Sequence, residues 1–400
     1  MFCHSKKRLR LLVAMLCIAL APVYAQKANQ VDIKSVLKLA EKKALLTFKT
    51  NADTNAFPRN ICGDAKVWKT SRVTDWTTGF WPGMLWYLYD FNKKPKFREM
   101  AEYWSRPILK NKDIKWTHDL GFMLHSPLYT AISLHPNPTY QAALIDAANS
   151  LTGLYNPKIG TMKSWTWLKQ HPHPTIADNM MNLELLFWAA EKTGNQTYKQ
   201  IAIQHALTTI AEHIRPDGSS YHVVAYDTAT AKPYKKYADQ GMADNSTWSR
   251  GQAWLIYGFA VAYRETMDER FLQTAQKTAD WFIEHLPPDV VPYWDFDAPQ
   301  TAETPKDASA AAIAVAGLLK LSTYCSNVPL KKKYYDNALR LLRALSAPPY
   351  LDSDPKFPAL LRRSTGSKPH NSEVDCSIIY ADYYYIEAML WLHKLGIKKI

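Results

Sequence analysis

Residues 308–321 read ASAAAIAVAGLLKL, and residues 331–346 read KKKYYDNALRLLRALS. The first stretch is apolar on every face of a helix except for Ser309 and Lys320. A helix of that kind must be buried on all sides. The second stretch repeats its apolar residues every three or four positions and charges the opposite face, so it is half-exposed. The same alternation continues outward in both directions. Segments with a 3.6-residue period begin near Val31, Gly79, Lys96, Asp119, Pro138, Asp178, Gln196, Ser249, Asp268, Ala308, Lys331 and Cys376. The even ones are apolar nearly all round, as in GFWPGMLWYLYDF and NLELLFWAA, and the odd ones are amphipathic, as in DERFLQTAQKTADWFIEHL. Six buried helices alternating with six half-exposed ones give two concentric layers. The expected fold is all-α, an (α/α)6 toroid with the even helices inside. A helical solenoid would show a repeating consensus of fixed length, and none is present. No Gly/Ser-rich linker interrupts the pattern, so residues 26–400 form a single domain.

Residues 1–25 are expected to be a signal peptide. Lys6, Lys7, Arg8 and Arg10 precede the apolar run LLVAMLCIALA, and Val23-Tyr24-Ala25 forms a small-residue cleavage site. The run is shorter than the roughly 20 residues of a membrane span, so no stable span is expected and the location is periplasmic. The chain carries a formal net charge of +13. Its basic residues are scattered rather than blocked, which argues against nucleic-acid binding and leaves attraction for an anionic substrate. Three cysteines follow the leader: Cys62, Cys325 and Cys376. One disulfide at most can form, and three thiols fit equally well. There is no Walker loop, GxGxxG or HExxH, so no metal or cofactor is expected.

The segments entering the even helices are DWTTGFW (75–81), WTHDLGF (116–122), IADNMMN (176–182), DNSTWSRGQAW (244–254), TPKDASA (304–310) and SEVDCSIIYADYY (372–384). In a toroid these entrances share one face. Their aspartates suit helix N-caps, and for Asp307 and Asp375 capping suffices. Capping does not account for His118 beside Asp119, nor for Arg250, Gln252 and Trp254 in an otherwise apolar helix. A buried arginine requires an anionic partner, and its planar fork fits a carboxylate or sulfate. Trp76, Trp81, Trp165, Trp167, Trp248 and Trp254 add flat faces of the kind that stack on sugar rings. Acids, an arginine and aromatics together describe a carbohydrate site.

WTTGFWPGMLW, THDLGF, ADNMMNL, STWSRGQAWLIYGF and YADYYYIEAML, in this order across about residues 70–390, resemble the unsaturated glucuronyl hydrolases, glycoside hydrolase family 88. The resemblance implies the (α/α)6 toroid and assigns roles. Asp178 would be the general acid/base, and Asp119 the second acid. Trp76, His118, His222, Gln240, Arg250 and Trp254 would contact the substrate, with Arg250 on the uronate carboxylate. The substrate would be an oligosaccharide ending in a 4,5-unsaturated uronic acid. Asp178 would protonate its C4=C5 enol ether, with a pKa raised by burial and by Asp119. Arg250 is expected nearer the substrate carboxylate than Asp178. The stretch LLRRSTGSKPHNSEVD (360–375) resembles the family's loop that meets the next sugar, through Ser364, Ser367 and Lys368, although the spacing departs from the family pattern and a basic surface loop would read the same way. If it is that loop, glycosaminoglycan fragments are the implied substrates. The rival readings are an unsaturated rhamnogalacturonyl hydrolase on pectin fragments, a polysaccharide lyase using His118, His222 or the Tyr383–Tyr385 run, and a glycan-binding toroid without catalysis.

Overall fold

The computed structural model describes residues 30–400. The expected signal peptide lies outside the described residues. Among them are twelve α-helices: α1 (Ile33–Thr50), α2 (Phe80–Asn92), α3 (Pro95–Ile108), α4 (Ser126–Leu134), α5 (Pro138–Thr152), α6 (Asn179–Thr193), α7 (Gln196–His213), α8 (Ser249–Thr266), α9 (Glu269–Glu284), α10 (Ala308–Tyr324), α11 (Val328–Leu345) and α12 (Ile379–Lys394). The even helices pack in sequence, α2 on α4, α4 with its preceding turn on α6, then α8, α10, α12 and back to α2, which closes an inner ring. The odd helices lie outside it and pack on their even neighbours. This is the toroid expected from the alternation. In α10, fourteen residues from Ala308 to Ser322 are buried, whereas in α11 only Tyr334, Ala338, Leu341, Leu342 and Leu345 are. No helix among the described residues is long and apolar enough to cross a membrane.

The helix starts differ by layer. Asp32, Asn137, Asn195, Asp268 and Asn327 cap five of the six outer helices through their side chains. Five of the six inner helices have no side-chain cap. The exception is α10, where Asp307 accepts from Ser309 N. Outer starts are therefore satisfied largely by their own cap side chains, whereas inner starts rely on backbone acceptors, as where Met180 N donates to Ala177 O and Ser249 N to Trp294 O. Asp375 caps nothing. Helix α12 starts three residues beyond Cys376, because Ser377–Ile378 is a strand, and Asp375 pairs with Arg363 at 3.3 Å.

The expected helix at Asp119 also begins late. Residues Gly121–His125 form a π-turn before α4. Pro127 cannot donate to Met123 O, and its ring would clash there in a regular helix. Widening the turn, with Ser126 N donating to Gly121 O, removes both conflicts. Gly121 is required because a Cβ would lie 2.7 Å from Asn182 Cα, and at Gly79 it would lie 2.0 Å from Phe122 O.

Short strands form three small sheets: β1 (Phe57–Ile61), β2 (Lys69–Ser71), β3 (Tyr155–Asn156), β4 (Thr161–Met162), β5 (His173–Ile176), β6 (Val223–Tyr226), β7 (Pro233–Tyr237) and β8 (Ser377–Ile378). Their orders are β2-β1-β8, β3-β4 and β5-β6-β7. The pairing Ile61↔Ser377 brings Cys62 opposite Cys376, and these two form a disulfide, which leaves Cys325 as a buried free thiol. Closing a loop of that length stabilises by typically about 2–4 kcal/mol. Cys62→Ser should therefore lower the denaturant midpoint of the oxidised protein, and added reductant should lower the wild type to match. A wild type unmoved by reductant, with Cys62, Cys325 and Cys376 all found alkylated by mass, would refute the pairing.

Candidate active site

Asp178 lies between β5 and α6. The antiparallel register Ile176↔Val223 continues through Ala177 N to His222 O at 3.0 Å, so the sheet holds His222 against Asp178. His222 Nε2 lies 3.8 Å from Asp178 Oδ2. The backbone N–H groups of Asp239 and Gln240 both donate to His222 Nδ1 at 3.3 Å. Nδ1 is therefore an acceptor, and the proton of the neutral ring is on Nε2, facing Asp178. Burial depresses the His222 pKa well below the ordinary value, so the ring stays neutral. His222 also packs on Trp248, with centroids 4.4 Å apart.

The second acid is built in a similar way. Asn182 Oδ1 accepts from Phe122 N at 3.0 Å, which fixes the amide's orientation and turns Nδ2 toward Asp178 O at 3.2 Å and His118 Nδ1 at 3.4 Å. His118 thus keeps its proton on Nε2, 3.4 Å from Asp119 Oδ1, and burial lowers its pKa to about 4. Thr117 Oγ1 donates to Asp119 Oδ2. Each carboxylate thus has a neutral imidazole Nε2–H close by, at 3.4 and 3.8 Å, beyond a hydrogen bond.

Both acids are buried, yet each keeps 8% of its surface open. Burial pushes Asp178 up to about 6; His118 and Arg250 pull it back, and Asp119 pushes it further up. Burial pushes Asp119 up to about 7 against the Thr117 hydrogen bond, with Asp75 raising and Arg59 lowering it. The two acids differ in the freedom of their oxygens. Asp119 Oδ2 is engaged by Thr117, whereas Asp178 Oδ2 makes no hydrogen bond within the protein, and Asp178 does not cap α6.

Arg250 has a resident anion. Its Nη1 donates to Asp307 Oδ2 at 3.1 Å and Thr365 O at 2.6 Å, and its Nη2 to Gly366 O at 2.7 Å. It forms its ion pair with Asp307 rather than with Asp178. A guanidinium has five N–H donors. Nε–H and one Nη2–H remain, and Nε is buried with no partner.

The other expected contacts divide. Trp76 is half-buried, with its ring 5.1 Å from that of Tyr380 and under the Arg59 guanidinium at 5.4 Å. Gln240 donates through Nε2 to Gly366 O at 3.1 Å. Trp254 has no exposed surface; it packs against Phe122 and Tyr384 and backs the wall of the site, with its indole N–H unpaired. Gln252 belongs to the scaffold, bonded to Ser220, Gly218 and Thr278. Residues 364–376 form a hairpin through the bridges Ser364↔Cys376 and Ser367↔Ser372. Ser364 is buried with its hydroxyl unpaired, the Ser367 hydroxyl meets His370 Nδ1 at 2.7 Å, and Lys368 is exposed in the turn. Arg59 anchors this hairpin from β1, bidentate to Glu373 at 2.6 and 2.8 Å, and also holds Asp75 at 2.6 Å.

Sequence reasoning missed Asn182, Arg59, Glu373 and Tyr380 as site residues. Asn182 carried a signal, an amide one helical turn beyond Asp178 on the same face. Tyr380 is fully buried near Trp76 and Arg250, with its hydroxyl unpaired. Asp178 Oδ2, His118 Nε2, His222 Nε2, Arg250 Nε, Trp254 Nε1, Ser364 Oγ and Tyr380 Oη are thus all buried without protein partners. Buried polar groups are nearly always paired, and the unpaired His222 Nε2 and Asp178 Oδ2, with the unpaired His118 Nε2 beside Asp119, mark a place for a polar ligand. A cavity of about 210 Å³ lies further along the inner helices, lined by the Glu184–Arg264 and Glu387–Lys320 pairs, and neither acid borders it.

The model of Glycosyl Hydrolase Family 88 matches residues 51–389. The chain belongs to that family. It is 40% identical over 349 residues to an unsaturated glucuronyl hydrolase of Formosa agariphila, with 86% of each chain covered. It is 34% identical to an unsaturated chondroitin disaccharide hydrolase of Streptococcus pyogenes serotype M1, with 92% of each covered. The crystal structure of an unsaturated glucuronyl hydrolase specific for heparin superposes with a TM-score of 0.87 at 34% identity, over 92% of this chain and 98% of that one. The chain is therefore a glycosidase on an (α/α)6 toroid, as the sequence motifs implied.

Proposed function

We propose that this glycosidase removes a 4,5-unsaturated uronic acid from the non-reducing end of lyase-generated, glycosaminoglycan-type oligosaccharides, with Asp178 as proton donor. The observation that carries this reading is the free Asp178 Oδ2, held beside the His222 Nε2–H on a carboxyl whose pKa burial raises to about 6. Asp178 gives its proton to C4 of the enol ether, and positive charge develops at C5 and the ring oxygen. Water adds at C5 and returns a proton to Asp178. The hemiketal opens by breaking the bond between C5 and the ring oxygen, and the hemiacetal left at C1 collapses to an aldehyde and the freed sugar. One water is consumed and the acid is regenerated. His222 and His118 place their Nε2–H groups 3.8 and 3.4 Å from the two carboxyls without hydrogen-bonding to them, and the remaining Arg250 donors favour a uronate carboxylate.

The lyase alternative needs an unprotonated base facing the substrate. Both histidines present N–H instead, Tyr383 Oη meets Tyr87 Oη at 2.9 Å and Tyr385 Oη meets Ser346 Oγ at 2.7 Å. The leader-like N-terminus and the Cys62–Cys376 pair support export to the periplasm, where lyase products would be met.

The test is ultraviolet absorbance, which the conjugated C4=C5 bond supplies and hydration abolishes. Unsaturated disaccharides from chondroitin, hyaluronan, heparin and pectin lyase digests should be bleached by the protein, glycosaminoglycan products fastest. Constant absorbance on all four would defeat the reading, and preference for the pectin product would move it to the rhamnogalacturonyl class. A donor must begin protonated, so kcat/KM should fall as pH rises through about 6. A rate that climbs with pH through that range would assign Asp178 to base catalysis.

A further inference from the structure

Three tryptophans lead away from the catalytic acid. His222 lies against Asp178, and the Trp165 ring meets His222 edge-on with centroids 6.1 Å apart. Trp165 is half-buried on Ile176, Val223, Ala225 and Tyr237. Beyond it lies Trp167 at 6.4 Å, and beyond that Trp116 at 5.7 Å. These outer two are 54% and 42% exposed. The arrangement is built rather than incidental. The Thr117↔Trp165 bridge joins the two segments, and Thr166 donates twice to Trp116 O, from N at 3.3 Å and Oγ1 at 3.0 Å. Lys115 and Lys169 stand exposed in the same two segments and form no ion pair with described residues. Large aromatic faces left in water next to a polar site cost solvation unless something covers them. Of the other aromatics near the site, Trp254 and Tyr380 have no exposed surface, and Trp76 packs on Tyr380 beneath Arg59.

We infer that Trp116 and Trp167 form an outer subsite that stacks on pyranose rings beyond the first two of the substrate, so that this chain favours unsaturated oligosaccharides longer than a disaccharide. The inference rests on the catalytic reading above. Its occupant follows from continuity: the platform starts at His222, so a chain whose unsaturated end reaches Asp178 runs onto it. Sugar rings offer apolar C–H faces to indoles, and the two lysines suit the carboxylates or sulfates of an anionic repeat.

The experiment compares unsaturated chondroitin tetrasaccharide with the disaccharide. For Trp167→Ala and Trp116→Ala, KM for the tetrasaccharide should rise about tenfold, while disaccharide kcat/KM stays within about twofold, and Trp167→Phe should recover most of the loss. Both side chains are exposed, so folding is not at stake, and equal melting curves check this. Equal losses on both lengths, or none on the tetrasaccharide, would overturn the inference, as would a wild type that cleaves only the disaccharide. A wild type inert on both lengths would overturn the catalytic reading instead. Calorimetric titration of the same tetrasaccharide into wild type and Trp167→Ala then decides the platform alone, since weaker binding to the variant supports it and equal or absent binding ends it.

Discussion

Asp178→Asn should abolish activity and at the same time make the protein more stable above pH 6. The loss follows from the proposed role: a positioned general acid typically contributes about 10²–10⁴-fold, and asparagine has no acidic proton to give. The gain follows from the cost of the native carboxyl. Its folded pKa of about 6 stands above the ordinary 3.8, chiefly because burial disfavours the charge. Below pH 3.8 both folded and unfolded states are protonated, and the group contributes nothing. Between 3.8 and about 6 the unfolded chain ionises first, so stability falls as pH rises. Above 6 the cost levels off at on the order of 3 kcal/mol. Asparagine never ionises, so its melting curve should part from that of the wild type across that window and stay above it. A variant equally inactive but no more stable at pH 8 would mean that Asp178 is well solvated in the free protein, and the argument for a raised pKa would fail. Activity surviving in the variant would move the donor's role to Asp119, the other raised carboxyl of the site.

The same change separates catalysis from stability in a way that reading the chain alone did not. The inner and outer layers were legible because burial on all sides leaves no room for charge: α10 had to be apolar throughout and α11 did not. Asp178 and Asp119 stood out for a related reason, as acids at the mouths of apolar helices. What stayed hidden was what the small sheets do. Strands of two to five residues are too short for a period of two to show, yet the β5–β6 register is what places His222 beside Asp178. The β1–β8 register likewise chose Cys62 as the partner of Cys376, where counting three thiols left the pairing open. The layer difference in capping was also invisible, since Asp178 and Asp307 look alike at the head of a helix. Only the positions of their neighbours show that one carboxyl is left free while the other is fully occupied.

That occupancy makes Asp307→Ala the most damaging change expected outside the two acids proposed to be catalytic. Reading Asp307 as a cap was correct but covered half of its work. Oδ1 accepts from Ser309 N at 3.0 Å, from the Ser309 hydroxyl, and from Thr365 N at 3.3 Å, while Oδ2 holds Arg250. One carboxylate thus joins the start of α10, the inner helix α8 and the 364–376 hairpin. Removing it takes a helix cap worth about 1 kcal/mol and leaves a fully buried guanidinium without its anion, which typically costs about 3–5 kcal/mol. Arg250 cannot relieve this by losing its proton. Its remaining protein partners are the carbonyls of Thr365 and Gly366, which carry no full charge. Asp307→Ala should therefore lower the denaturant midpoint steeply, and Asp307→Asn, which keeps the cap oxygen, should recover the cap but not the ion pair. The double variant Asp307→Ala with Arg250→Met removes both charges, and it should be more stable than Asp307→Ala alone. If the double variant is the less stable of the two, the buried charge is not what the carboxylate was holding, and Arg250 must owe its place to the hairpin carbonyls instead.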